Sequence, residues 1–302
     1  LRMFHRVLIQ EVSATPCPTT PMMIIGPGDY EYIDCPDMQS ITLNVRNFSL
    51  ILIRCHLKGT IKATTSSTNF IRDSRIEIID SNLTNDAIIS PKILFDFNRK
   101  FYNVNISIQR SILWNNVTSN TASLFAFYNV YPSGGYFEVI NCSLFVYSTS
   151  SINAIDISHS LTGGSMNFSR ISFRGNNWTI KSGTSASAYL FYAYGTKFGP
   201  NTSVMEFRNE GGILQGENIA TLYYFTSTIF YDLWILIDKC DWNNVTDTSH
   251  LAIIDMSITT WYHTNMMMKS SIISGHVKNG AAYGWKAVMT QLLQGSRLEI
   301  TQ

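Results

Sequence analysis

One short pattern returns along most of this chain: an apolar residue, any residue, a small or polar residue, any residue, then a closing apolar residue. It is visible in "LILIRCHLKG" from Leu50, "RIEIIDSNL" from Arg75, "YFEVINCSLFVY" from Tyr136 and "WILIDKCDW" from Trp234. The closing residue falls at Leu57, Leu83, Ile112, Leu144, Phe173, Ile213, Trp242 and Ile272. The intervals run from 26 residues (Leu57 to Leu83) to 40 (Phe173 to Ile213), and most lie close to thirty. A ninth copy opens at "GSRLEITQ" from Gly295, and a second strand-like run follows most copies, as in "ILFDFN" at Ile93, "SLFAFYN" at Ser123 and "LAIIDMS" at Leu251. One such unit leaves its backbone groups unpaired above and below and covers only half of its apolar face. A near-copy on each side supplies both, so a sustained period of this length marks a solenoid.

The runs are short and alternating, rich in Ile, Phe, Tyr and Thr, and broken by Gly, Asn and Ser, which excludes a helical repeat. The fold class expected is all-β: a right-handed parallel β-helix of about eight to nine coils of ~30 residues, the hand following from the crossover rule. A β-propeller, with four antiparallel strands per blade of about 40–50 residues, is the alternative. Residues 40–302 form the β-helix in this reading, and residues 1–39, with "SATPCPTTP" and "GPGDYEYIDCP", form an N-terminal cap or edge segment. Adjacent apolar residues at Ile78–Ile79 and Val139–Ile140 suggest strands that turn a corner there, since a flat strand cannot send two neighbours into one core.

In a stack, equivalent positions want like residues. Cys55, Cys142 and Cys240 fall in one slot of the pattern, on non-adjacent coils, and read as small buried free thiols. Cys17 and Cys35 flank a Pro-rich stretch and are a candidate disulfide. Nine Asn-x-Ser/Thr sequons occur, at Asn47, Asn82, Asn105, Asn116, Asn141, Asn167, Asn177, Asn201 and Asn244. Strand parity turns Asn82, Asn105, Asn141 and Asn167 outward, and the others fall in expected turns. If used, they imply covalent N-glycans, a secretory route, an extracellular or cell-surface location and a eukaryotic source.

The repeated units resemble the right-handed parallel β-helix superfamily, the pectin-lyase-like fold. In style, "SRIEIIDSNL", "YFEVINCSL" and "GSRLEIT" are similar to repetitive protist surface glycoproteins such as the kinetoplastid dispersed gene family. Enzymes of this fold cleave acidic polysaccharides, and that chemistry needs paired carboxyls about 5–10 Å apart. Here Asn-Thr-Asp and Asp-Asp are missing from the sequence, and Gly275-His276-Val277 and Arg75-Ile76-Glu77 lie many coils apart. No carboxylate cluster is evident in one slot of adjacent coils, and the six His show no metal-ligand spacing. The expectation is therefore no catalytic residues, no metal and no cofactor.

With a net charge of +1 and only 14% charged residues, nothing favours nucleic acid, and no apolar run reaches a membrane span. A non-enzymatic structural surface glycoprotein is expected. Because the chain stops within a fresh copy, so is end-to-end stacking as a homo-oligomer or filament, or continuation into further repeats. Two alternatives remain. One is a carbohydrate-binding adhesin using outward aromatics of "YLFYAYG" (Tyr189), "LYYF" (Leu222) and "WYH" (Trp261) against glycan ligands. The other is a β-helix polysaccharide lyase or hydrolase.

Overall fold

The computed structural model describes residues 16–301, except 45, 64–70, 88–92, 99–100, 119, 129–132, 159–163, 201–203, 247–249, 278–279 and 294. Every described element is a strand, and the described strands pair in parallel. The chain is a parallel β-solenoid, not a propeller. Sheets A and B contain ten strands each, sheet C eight and sheet D five. A turn runs through one strand of sheet B, one of C and one of A, for example Ile71–Ile79, Asn82–Ala87 and Ile93–Phe97. From Gly164–Met166 onward each turn adds a short strand in sheet D, so a three-sided coil becomes four-sided.

The stack makes about seven turns, slightly fewer than expected, and the copy at Gly295 contributes only its sheet B strand, Arg297–Thr301. Residues 1–39 supply the edge strands Met22–Ile24 and Gly28–Ile33 to sheets A and B.

Corners between sheets B and C follow one rule. A residue in the left-handed region (Asp34, Arg54, Asp80, Arg110, Asn141, Gly175, Asn209, Lys239, Ser270) is followed by a slot residue that points inward. The slot residues are Cys35, Cys55, Ser81, Ser111, Cys142, Asn176, Glu210, Cys240 and Ser271. The corner takes these amides out of the regular ladder, so each needs another acceptor. The slot side chain of the next turn provides it. Cys55 N donates to Ser81 Oγ (3.0 Å), Ser81 N to Ser111 Oγ (3.1 Å), Ser111 N to Cys142 Sγ (3.5 Å), Cys142 N to Asn176 Oδ1 (2.8 Å) and Asn176 N to Glu210 Oε1 (2.9 Å). The slot is small and polar because its occupant must fit inside and accept a hydrogen bond.

This geometry corrects the expected parity. Ile78 is buried but Ile79 is not; the left-handed Asp80 resets the alternation, so that Ser81 and Leu83 point inward. The same holds at Val139–Ile140. Inward doublets do occur in sheet A, at Leu94–Phe95, Leu124–Phe125, Ala154–Ile155, Leu190–Phe191 and Leu222–Tyr223.

The inner column of sheet C is Leu57, Leu83, Leu113, Leu144, Trp178, Gly212, Trp242 and Ile273. Four expected members are displaced: Ile112, Ile213 and Ile272 are exposed neighbours of the true column residues, and Phe173 lies in sheet B. Gly212 lets the indoles of Trp178 and Trp242 approach to 6.5 Å across it; a Cβ there would sit 2.0 Å from Trp178 O.

Candidate functional site

With the interior filled, chemistry is left to the outward faces, and two carry ordered polar groups. On sheet A, register aligns Asp96, Ala126, Asp156, Tyr192, Tyr224, Asp255 and Lys286 in one outward column. The Tyr192 and Tyr224 rings stack at 5.2 Å and 13°. Tyr189 closes against both, at 5.3 Å and 5.1 Å, because the inward doublet Leu190–Phe191 leaves Tyr189 and Tyr192 on the same side. Asp156 accepts hydrogen bonds from Tyr128 Oη (3.0 Å), Asn153 Nδ2 (2.9 Å) and Ser158 Oγ. Asp255 pairs with Lys286 at 3.2 Å. Burial pushes the Tyr189 and Tyr192 hydroxyls up to about 12, so both remain protonated donors at neutral pH. The patch is a ring platform beside carboxylate acceptors.

On sheet B, Glu77, Ser107, Glu138, Ser172 and Glu206 form an alternating column. Ser107 Oγ donates to Glu138 Oε1 (2.8 Å) and Ser172 Oγ to Glu206 Oε1 (2.7 Å). Arg170 and Arg208 flank Glu206, and Arg174 lies 3.4 Å from Glu138 and 3.7 Å from Glu206. Burial raises the Glu206 pKa, but the hydrogen bonds from Ser172 and Arg170 and the neighbouring positive charges outweigh it and hold the carboxyl below its usual value. Carboxylates therefore recur in one slot on alternate turns, with a serine on each turn between them. The column is hidden in the sequence because the spacing drifts from 30 residues (Glu77 to Ser107) to 34 (Ser172 to Glu206).

The expected aromatic stripe is tyrosine alone: Phe191, Phe225 and Trp261 are core residues. Of the sequon asparagines, Asn47, Asn141 and Asn177 are exposed, while Asn82, Asn105, Asn116 and Asn167 are half-buried. Asn116 lies within the strand Ile112–Val117 rather than in a turn. Asn82 sits in a groove of about 380 Å³ beside the corner pairs Arg54–Asp34 and Arg110–Asp80, with its Oδ1 buried and unpartnered. Asn244 is placed by its backbone, in register with Leu214, and Asn201 lies outside the described residues.

Cys17 and Cys35 are joined by a disulfide, and Cys55, Cys142 and Cys240 are buried free thiols. Burial raises all three thiols, Cys142 to about 11 and Cys240 to about 12. Cys35 occupies the same slot as these three, one rung from Cys55, an adjacency the sequence reading overlooked.

Among the described residues, no group of three or more His, Cys, Asp and Glu is placed to hold a metal ion, and no helix is long and apolar enough to cross a membrane. Comparison with protein-family models, with curated proteins and with solved structures found no match.

Proposed function

We propose that this chain is an extracellular, N-glycosylated β-solenoid that binds neutral carbohydrate along the outer face of sheet A. Within that reading it is a pectin-lyase-like β-helix used as a surface scaffold, in the manner of repetitive protist glycoproteins. The carrying observation is the stacked Tyr192–Tyr224 pair with Tyr189 and Asp156 beside it. Tyrosine rings offer apolar area with a polar tip and little rotamer entropy to lose, which suits the C–H face of a sugar, and their phenol hydroxyls can hydrogen-bond its hydroxyls. Asp156 and Asp255 disfavour an acidic sugar by like-charge repulsion.

Sequon placement supports the same reading. Asn82, Asn116, Asn177 and Asn244 lie in sheet C, Asn105 in sheet B, and Asn47, Asn141 and Asn167 beside sheet B, whereas the described strands of sheets A and D carry none. Glycans would screen sheets B and C and leave sheet A open. Binding is favoured over cleavage because the carboxylates of both columns are already engaged: Asp156 by three donors, Glu138 and Glu206 by serine and arginine. A glycan array of the native protein tests this. Retention of a neutral saccharide is expected, weakened about ten-fold by Tyr192→Ala or Tyr224→Ala, the ~1.4 kcal/mol worth of one ring contact. Tyr147→Ala on sheet C should leave it unchanged. No retention, or retention indifferent to both sheet A substitutions, sinks the reading.

A further inference from the structure

We infer that Cys55 is an alternative partner for Cys35, so that the Cys17–Cys35 disulfide exchanges within the chain to Cys35–Cys55 and releases Cys17. The observation is the slot register. In every turn, the residue after the slot donates its amide to the slot carbonyl of the preceding turn. His56 N donates to Cys35 O (2.7 Å), as Asn82 N does to Cys55 O (2.8 Å) and Ile112 N to Ser81 O (2.9 Å). Cys35 and Cys55 are therefore equivalent residues on adjacent rungs. Adjacent rungs are about 4.8 Å apart, inside the roughly 4.4–6.8 Å Cα separation that a disulfide spans. The other two thiols provide an internal contrast. Cys142 has Ser111 and Asn176 as its slot neighbours, and Cys240 has Glu210 and Ser271, so neither has a sulfur on an adjoining rung.

The step is a thiol–disulfide exchange that conserves electrons. Cys55 loses its proton and its thiolate attacks Cys35 Sγ. The Cys35–Cys55 bond forms as the Cys17–Cys35 bond breaks, and Cys17 Sγ leaves with the electron pair and takes up a proton. No external oxidant enters. Cys55 is buried, so attack requires the Cys35 rung to open; among the described residues its strand Gly28–Ile33 is an edge strand, paired on one side, and such strands open at low cost. The result staples the first two rungs of sheet B to each other and frees the segment around Cys17.

The test uses native protein held with a trace of reduced glutathione, quenched with N-ethylmaleimide, digested without reduction and mapped by mass spectrometry. A Cys35–Cys55 peptide together with alkylated Cys17 is expected in the wild type and is lost in Cys55→Ser. That variant is expected to fold, because Ser81 and Ser111 already fill the slot. A second arm needs no exchange: Cys17→Ser, refolded in air, is expected to link Cys35 to Cys55. Recovery of only Cys17–Cys35 in the wild type, with Cys35 and Cys55 both alkylated in Cys17→Ser, overturns the inference. Linkage of Cys35 to Cys142 or Cys240 overturns it as well.

Discussion

Glu210 occupies a slot that holds Ser, Cys or Asn in the other turns, and its carboxyl is buried in the solenoid. It accepts from Asn176 N (2.9 Å) and Trp178 Nε1 (2.6 Å), yet burial dominates and pushes its pKa from 4.5 up to about 7. The folded form therefore holds this proton more tightly than the unfolded chain. Its contribution to stability is complete below about pH 4.5 and lost as pH rises through about 7, an effect of at most about 3 kcal/mol. Glu210→Gln replaces the titrating carboxyl by a neutral amide of nearly the same shape. The pH-dependent part should vanish: urea melts at pH 5 and 8 are expected to show wild type losing more stability than the variant, and equal losses would refute the burial of an ionisable Glu210. Gly212→Ala is expected to cost at least about 3 kcal/mol in the same melts, through backbone contact with Trp178 and a left-handed φ. The cysteine slot was legible in the sequence because small residues repeat in it. Glu210 and Gly212 were not: together they break the pattern, which is why the repeat seemed to close at Ile213.

Strand identity was readable from alternation, but register was off by one at three turns. At Ile112, Ile213 and Ile272 an exposed isoleucine neighbours the inward residue, and apolar character alone does not tell the two faces apart. The left-handed corner does, because it fixes which residue follows the slot. Leu113→Ala should therefore lose about 2–5 kcal/mol as a filled core position, while Ile112→Ala should change stability by about 0.5 kcal/mol or less as a surface one. Similar losses at both sites in denaturant melts would contradict the register. Sheet D was not legible, since its strands are three residues long, too short to show alternation. The parity reset was expected as an inward doublet at the B–C corner; a left-handed residue performs it there, and the doublets lie in sheet A, where they set Tyr189 beside Tyr192.

Stacking turns residues about thirty positions apart into neighbours, so the surface is organised in columns that no local motif announces. The Asp–Tyr column of sheet A and the Glu–Ser column of sheet B exist only once each turn's length is known. The described sequons likewise fall in or beside sheets B and C and not in the strands of sheet A, and the proposal of sheet A as a saccharide face rests on that division together with the tyrosine stack. Hydroxyl-radical footprinting of the glycosylated protein, with and without a saccharide retained on the array, tests it most directly. Protection of Tyr189, Tyr192 and Tyr224, with Tyr147 on sheet C and Tyr262 on sheet D unchanged, is expected. Unaltered labelling of the three sheet A tyrosines, or protection confined to another face, would contradict it.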